Sequence, residues 1–120
     1  MNTLSDVIKN GGGTFNPDGS THYKTDGYFI GGKDCTRIPL KSSTINTHKL
    51  TVKFIIDKFL NFDRLDGYDF AGFWVDDNIL YVERVIYIKN KQHAINQGKR
   101  NKQIAIWDIA NSECILLEDK

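Results

Sequence analysis

Hydrophobic and polar positions alternate along the second half of the chain. The alternation predicts strands over 70–76, 79–88 and 103–109, with Phe73 and Val75 opposed to Trp74 and Asp76. In the second of these, Leu80, Val82, Ile86 and Ile88 share a face, and Arg84 interrupts it, which marks a bulge or a polar edge. Asp77-Asn78 lies between the first two runs and suits a tight hairpin turn, since Asn and Asp accept positive φ best after glycine. Helical spacing stands out in one place: Val52, Ile55, Ile56, Phe59 and Leu60 form an i, i+3, i+4, i+7, i+8 stripe. Lys49, Lys53 and Asp57 fall on another, solvated face, and Ser42, Ser43 and Thr44 offer N-caps. A shorter helix over 91–97 starts at the cap residue Asn90. Its Ala94, with Gly98 four residues on, allows close packing on a sheet.

The first half is punctuated by glycine. Residues 4–9 suit a turn or so of helix, stopped by Gly11-Gly12-Gly13. Thr14-Phe15 begins a strand. Asn16-Pro17-Asp18-Gly19 has the composition of a type I turn. A return strand over 23–30 is interrupted at Asp26-Gly27, and a turn is predicted over 31–34. Residues 36–40 are extended, with Pro39 marking an edge strand or a strand end. Ala110-Asn111-Ser112 turns into a closing strand over 113–117. The expected fold is α+β: a mainly antiparallel sheet of about five to seven strands carrying one long helix and one short helix.

Length and composition narrow the class. The 120 residues, 40% hydrophobic and 12% aromatic, are enough for one domain, 1–120, with a real core. No apolar run approaches the roughly 20 residues of a membrane helix. The N-terminus lacks a basic region and an apolar signal core, so a cytoplasmic chain is expected. In that compartment Cys35 and Cys114 are expected as reduced thiols. A net charge of +1 disfavours a nucleic-acid binder of the usual kind, but the charge is polarised. Asp57, Asp63, Asp66, Asp69, Asp76, Asp77 and Glu83 meet only Lys58 and Arg64, whereas 84–103 holds six bases and no acid.

Candidate chemistry is sparse. The triple glycine lacks the Lys-Ser/Thr of a Walker loop and the strand–helix context of a dinucleotide loop. His22, His48 and His93 lack metal-ligand spacing, and none sits in the His-x-Thr/Ser tripeptide of a two-histidine phosphodiesterase. The 63–67 segment lacks the alternation of a calcium loop. Neither a catalytic set, a metal site nor a cofactor is expected. Trp74 and Trp107, near Asp76 and Asp108, are read as core packers, with ligand stacking as the other reading. The basic connection Lys99-Arg100-Asn101-Lys102 reads as a solvated loop. The acids Asp63, Asp66, Asp69, Asp76, Asp77 and Glu83 are the candidate binding surface, facing a basic partner.

The blocks Gly12-Gly13-Thr14-Phe15, Gly27-Tyr28-Phe29-Ile30, Gly72-Phe73-Trp74-Val75-Asp76 and Leu80-Tyr81, with Ala94-x3-Gly98-x4-Gln103-Ile104-Ala105-Ile106-Trp107-Asp108-Ile109, carry a resemblance. Together they resemble a group of small accessory proteins of phages and mobile elements, over nearly the whole chain. The shared blocks are structural and bring no catalytic residue across. The resemblance implies an anti-defence role, anti-CRISPR-like or directed at restriction or nucleotide signalling. The expectation is a non-enzymatic inhibitor of a host defence protein, with a homodimer admitted. The alternative is a sponge for a signalling nucleotide that uses Trp74, Tyr81 and the Lys99–Lys102 connection.

Overall fold

Local signals fix most element ends in the computed structural model, which describes residues 2–40, 50–63 and 67–117. Helix α1 (Leu4–Asn10) opens with a capping box: Thr3 Oγ1 accepts from the Asp6 N–H at 3.3 Å, and the Asp6 carboxylate accepts from the Thr3 N–H at 3.0 Å. It closes at Gly11, whose φ of 81° is the left-handed cap conformation. Strand β1 (Gly12–Phe15) follows, and then a turn in which the Gly19 N–H reaches Asn16 O at 2.9 Å. Strand β2 runs over Tyr28–Pro39 and helix α2 over Val52–Phe59. Thr51 caps α2, its Oγ1 accepting from the Phe54 N–H at 3.1 Å. The N-cap candidates Ser42, Ser43 and Thr44, and Lys49, lie outside the described residues.

Strands β3 (Phe70–Asp76) and β4 (Ile79–Ile88) form the predicted hairpin, with φ of 49° at Asp77 and 60° at Asn78. Helix α3 (Lys91–Arg100) is capped by Asn90, whose Oδ1 accepts from the His93 N–H at 2.9 Å. Strands β5 (Ala105–Asp108) and β6 (Glu113–Leu116) complete an antiparallel sheet of order β1-β3-β4-β2-β5-β6.

Three expectations change. The helix read as long, α2, has 8 residues, and the one read as short, α3, has 10; α1 is a third. The apolar stripe stops early because Phe59 is 38% exposed, while Val52, Ile55 and Ile56 are buried. Gly31-Gly32-Lys33-Asp34 is no turn between two strands. It is a bulge inside one strand: Gly31 opposes Val85 and Cys35 opposes Glu83, so three residues of β2 face Arg84 alone. The irregularity that Arg84 signals lies across the ladder from it.

The extra length of β2 is even, so side-chain parity survives the bulge. Ile38 pairs with Leu80 and Ile30 with Ile86 on the same face of β4. That face carries all three helices. Near the hairpin, α1 and α2 bury Leu4, Val7, Val52, Ile55 and Ile56 against Phe15, Phe73, Leu80 and Val82. Farther along, α3 packs Ala94 against Ile30 and Ile106. A Cβ at Gly98 would stand 2.6 Å from Leu117 Cδ1 and 2.8 Å from Ile106 Cγ2, so glycine there sets the helix–sheet distance. Pro39 ends β2 where, among the described residues, no strand flanks it on the side away from β4.

Phe73 is buried and meets Phe15 edge-on, with ring centroids 5.4 Å apart. Phe73→Ala should cost about 3–5 kcal/mol in urea unfolding. Phe59→Ala, on a partly exposed ring, should cost less than half of that. Equal losses for the two variants would contradict this placement of the core.

Candidate functional site

The face of the sheet opposite the helices is built in cross-strand rows, because residues that pair across an antiparallel ladder point the same way. One row is Gly12, Trp74, Tyr81 and Arg37, from β1, β3, β4 and β2 in register. Trp74 and Tyr81 stack with centroids 4.9 Å apart and planes 8° from parallel, and the Arg37 guanidinium lies 5.7 Å from the Tyr81 ring. Gly12 puts no side chain beside the indole on the β1 side. A Cβ there would meet Phe73 O at 2.5 Å and Trp74 Cβ at 3.3 Å. Tyr81 covers one π face of Trp74, and β1 leaves the other uncovered.

Trp74 is therefore 39% exposed, where the sequence suggests a core indole. Trp107 is equally exposed, and its neighbour Asp108 turns away from it to cap the β5–β6 turn, accepting from Asn111 Nδ2 at 2.7 Å. Two residues along β3 from Trp74, on the same face, Asp76 begins the hairpin tip. Asp76 and Asp77 are both exposed.

The predicted acidic surface is divided. Asp63 is exposed after α2, beside a shallow depression of about 520 Å³ that Ile56, Phe59 and Phe62 also line. Asp66 lies outside the described residues. Asp69 precedes β3 and Asp76 ends it, so they stand about 20 Å apart at opposite ends of the strand. Glu83 belongs to no exposed surface at all. It occupies the next row, Thr14, Gly72, Glu83 and Cys35, and is only 6% exposed. Of the five that are described, Asp76 and Asp77 alone join the aromatic row.

Burial pushes the Glu83 carboxyl up to about 7, and no base among the described residues offsets it. The side chain has room because both neighbours toward which it runs are glycines. Its Cγ lies 3.7 Å from a Cβ built at Gly72, and its Oε1 fills the space where Gly31 would carry one. Across the ladder, burial and then the Glu83 carboxyl push the Cys35 thiol up; Cys35 and Cys114 are both free. Sequence reading places Glu83 on an exposed acidic surface because the only signal of its burial is an acid opposite two glycines that are distant in the chain.

Of the histidines, His22 packs edge-on against Phe29 at 4.8 Å and burial lowers its pKa; His93 is exposed on α3. No group of three or more His, Cys, Asp or Glu side chains converges as a metal site among the described residues. No helix among them is long and apolar enough to cross a membrane. The basic connection after α3 meets β2 at Gly31 and Gly32, opposite Val85. That is four residues along β4 from Tyr81, or about 13 Å.

An acid whose folded pKa is raised stabilises the fold fully below its unfolded value, and this contribution is lost as pH rises through the folded one. For Glu83 the window runs from about 4.5 to about 7. Wild type should lose about 2.5 kcal/mol relative to Glu83→Gln between pH 5 and pH 8. His22, with the opposite sign, cancels in this difference. Parallel stability curves for the two proteins would show that Glu83 ionises normally.

The chain matches no protein-family model, no curated protein and no solved structure.

Proposed function

We propose that the chain is a phage or mobile-element accessory protein that inhibits a host defence system, such as CRISPR–Cas, by stoichiometric binding to one of its proteins. The anti-defence part rests on the resemblance of its glycine and aromatic blocks to that group. The binding part rests on one observation, the exposed Trp74–Tyr81 stack with Arg37 beside it on a face that carries no described helix. Trp, Tyr and Arg are the side chains that dominate binding energy when a partner desolvates them. The acids Asp76 and Asp77 at the adjoining tip favour a partner with a basic surface and speed its approach. This reading narrows the contact from the whole acidic segment to one end of the β3–β4 hairpin.

The uncovered indole face also supports a second reading, a sponge in which a nucleobase stacks on Trp74 and Arg37 holds a phosphate. The connection at Lys99–Lys102 stands too far along the sheet to share a mononucleotide with that row. Co-purification separates the two: a sponge carries a bound species absorbing at nucleobase wavelengths, and an inhibitor carries a host protein.

Against the captured protein, inhibition should saturate at a fixed molar ratio, without metal or cofactor. Trp74→Ala should weaken binding by about 2 kcal/mol or more, roughly 30-fold, while the fold is kept. Reversing Asp76 and Asp77 to Lys should mainly slow association, and more so at low salt. Complete inactivation by a substoichiometric amount, growing with time and blocked by a chelator, would make the chain a catalyst instead.

A further inference from the structure

Strand β5 pairs with β2 only at Tyr28 and Phe29, so the carbonyls of Gly31 and Gly32 are left without a strand partner on that side. The connection after α3 supplies side chains in place of backbone. Asn101 Nδ2 donates to Gly31 O at 2.9 Å and to Tyr68 Oη at 2.7 Å, and Asn101 Oδ1 accepts from Gln97 Nε2 at 3.0 Å. Gln103 Nε2 donates to Gly32 O at 2.8 Å and to Asn101 O at 3.5 Å. With its nitrogen committed to two carbonyls, the Gln103 amide has one sensible orientation. Its Oε1 must face the space over Gly31, where it stands 2.7 Å from the position of a Cβ.

Glu83 Oε1 crowds the same position from β4. Two acceptor oxygens thus converge on one position in a site where Glu83 is 6% exposed, and among the described residues the carboxyl has no hydrogen bond or ion pair. On β3 the residue opposite is Gly72, on β2 it is Cys35, and Arg37 lies one row farther. Arg84, next in the chain, turns its guanidinium to the Tyr68 ring at 5.3 Å. No base among the described residues thus opposes a charge on Glu83, and a largely buried carboxylate facing a carbonyl oxygen would be doubly penalised. A proton on the carboxyl converts the repulsion into an O–H···O hydrogen bond.

We infer that Glu83 keeps its proton in the folded protein well above the pH at which an exposed glutamate ionises, and that it donates its O–H to Gln103 Oε1. This bond locks the connection between α3 and β5 onto the β2 bulge, and ionisation of Glu83 opens the lock. The lock is closed below the Glu83 midpoint and lost as pH rises through it. Because β5 and β6 follow the connection directly, their attachment to β2 loosens together with it.

The test is an NMR titration of protein labelled at the glutamate and glutamine side chains. The Glu83 δ-carbon should titrate near pH 7, and the Gln103 side-chain amide should shift with the same midpoint. Hydrogen exchange over 101–105 should show a step at that midpoint beyond its intrinsic pH dependence. Glu83→Gln, which presents an N–H in place of the O–H, should abolish both the amide shift and the step. A Glu83 midpoint of about 4.3, that of an ordinary glutamate, would overturn the inference. So would a midpoint near 7 with the Gln103 amide unmoved, since burial alone would then hold the proton. If Glu83→Gln does not fold, the wild-type titration decides the question by itself.

Discussion

The β2–β4 ladder is the constraint on which the rest of the molecule depends. β2 pairs with β4 on both sides of its bulge, and it joins the core under α1 and α2, through Ile38, to the core under α3, through Ile30. A bulge of odd excess would have turned one of these isoleucines to the opposite face and left half the core unfilled. The even excess keeps both in place, at the cost of backbone groups at Gly31 and Gly32 that a regular ladder would have satisfied. Asn101 and Gln103 exist in their observed roles because of that deficit. Glu83 acquires its unusual environment because Gly31 has no side chain to occupy the same space.

What was legible in the sequence was local. The Asp77-Asn78 turn, the Asn90 cap, the Gly11 stop and the close-packing pair Ala94 and Gly98 each carry their signal within a few residues, and each stands as read. What was not legible depends on register. Gly31-Gly32 looks like a turn because the chain alone does not show that β4 continues past it. Trp74 looks like a core residue because period-two alternation says which residues share a face, and leaves open which face the helices cover. The acids look like a patch because they are close in sequence, yet an extended strand places Asp69 and Asp76 at opposite ends. Glu83 is the same kind of miss in reverse: an acid in an acidic segment, buried by glycines from two other strands.

The two faces of the sheet carry different demands. On the helix face, apolar area is removed from water and the hydrophobic effect decides which side chains belong there. On the other face, side chains satisfy one another only partly. Phe29 is covered by His22, Phe70 and Tyr87, whereas Trp74 and Tyr81 cover each other and remain in contact with solvent. An isolated exposed aromatic is unremarkable in a folded chain. A stacked pair with one free π face, a guanidinium at one end and two carboxylates at the tip of the same hairpin is a different case. The pair is ordered before a partner arrives, so little side-chain entropy remains to be lost on docking.

The aromatic row and the Glu83 lock occupy adjacent rows of the same face, and that proximity has a physical consequence. Tyr81 and Glu83 are alternate residues of β4, held by the same two neighbouring strands. Ionising Glu83 places a charge in a site that is only 6% exposed, and the strain must be relieved either by more solvent entering or by the strands parting. The side of β4 toward β3 is held by a continuous ladder down to the hairpin turn, with every residue from Phe70 to Asp76 paired. The side toward β2 is already interrupted by the bulge, and its carbonyls are held by side chains rather than by a strand. The weaker side yields first, so the connection and the strands that follow it should respond to the proton, while the Trp74–Tyr81 stack keeps its shape.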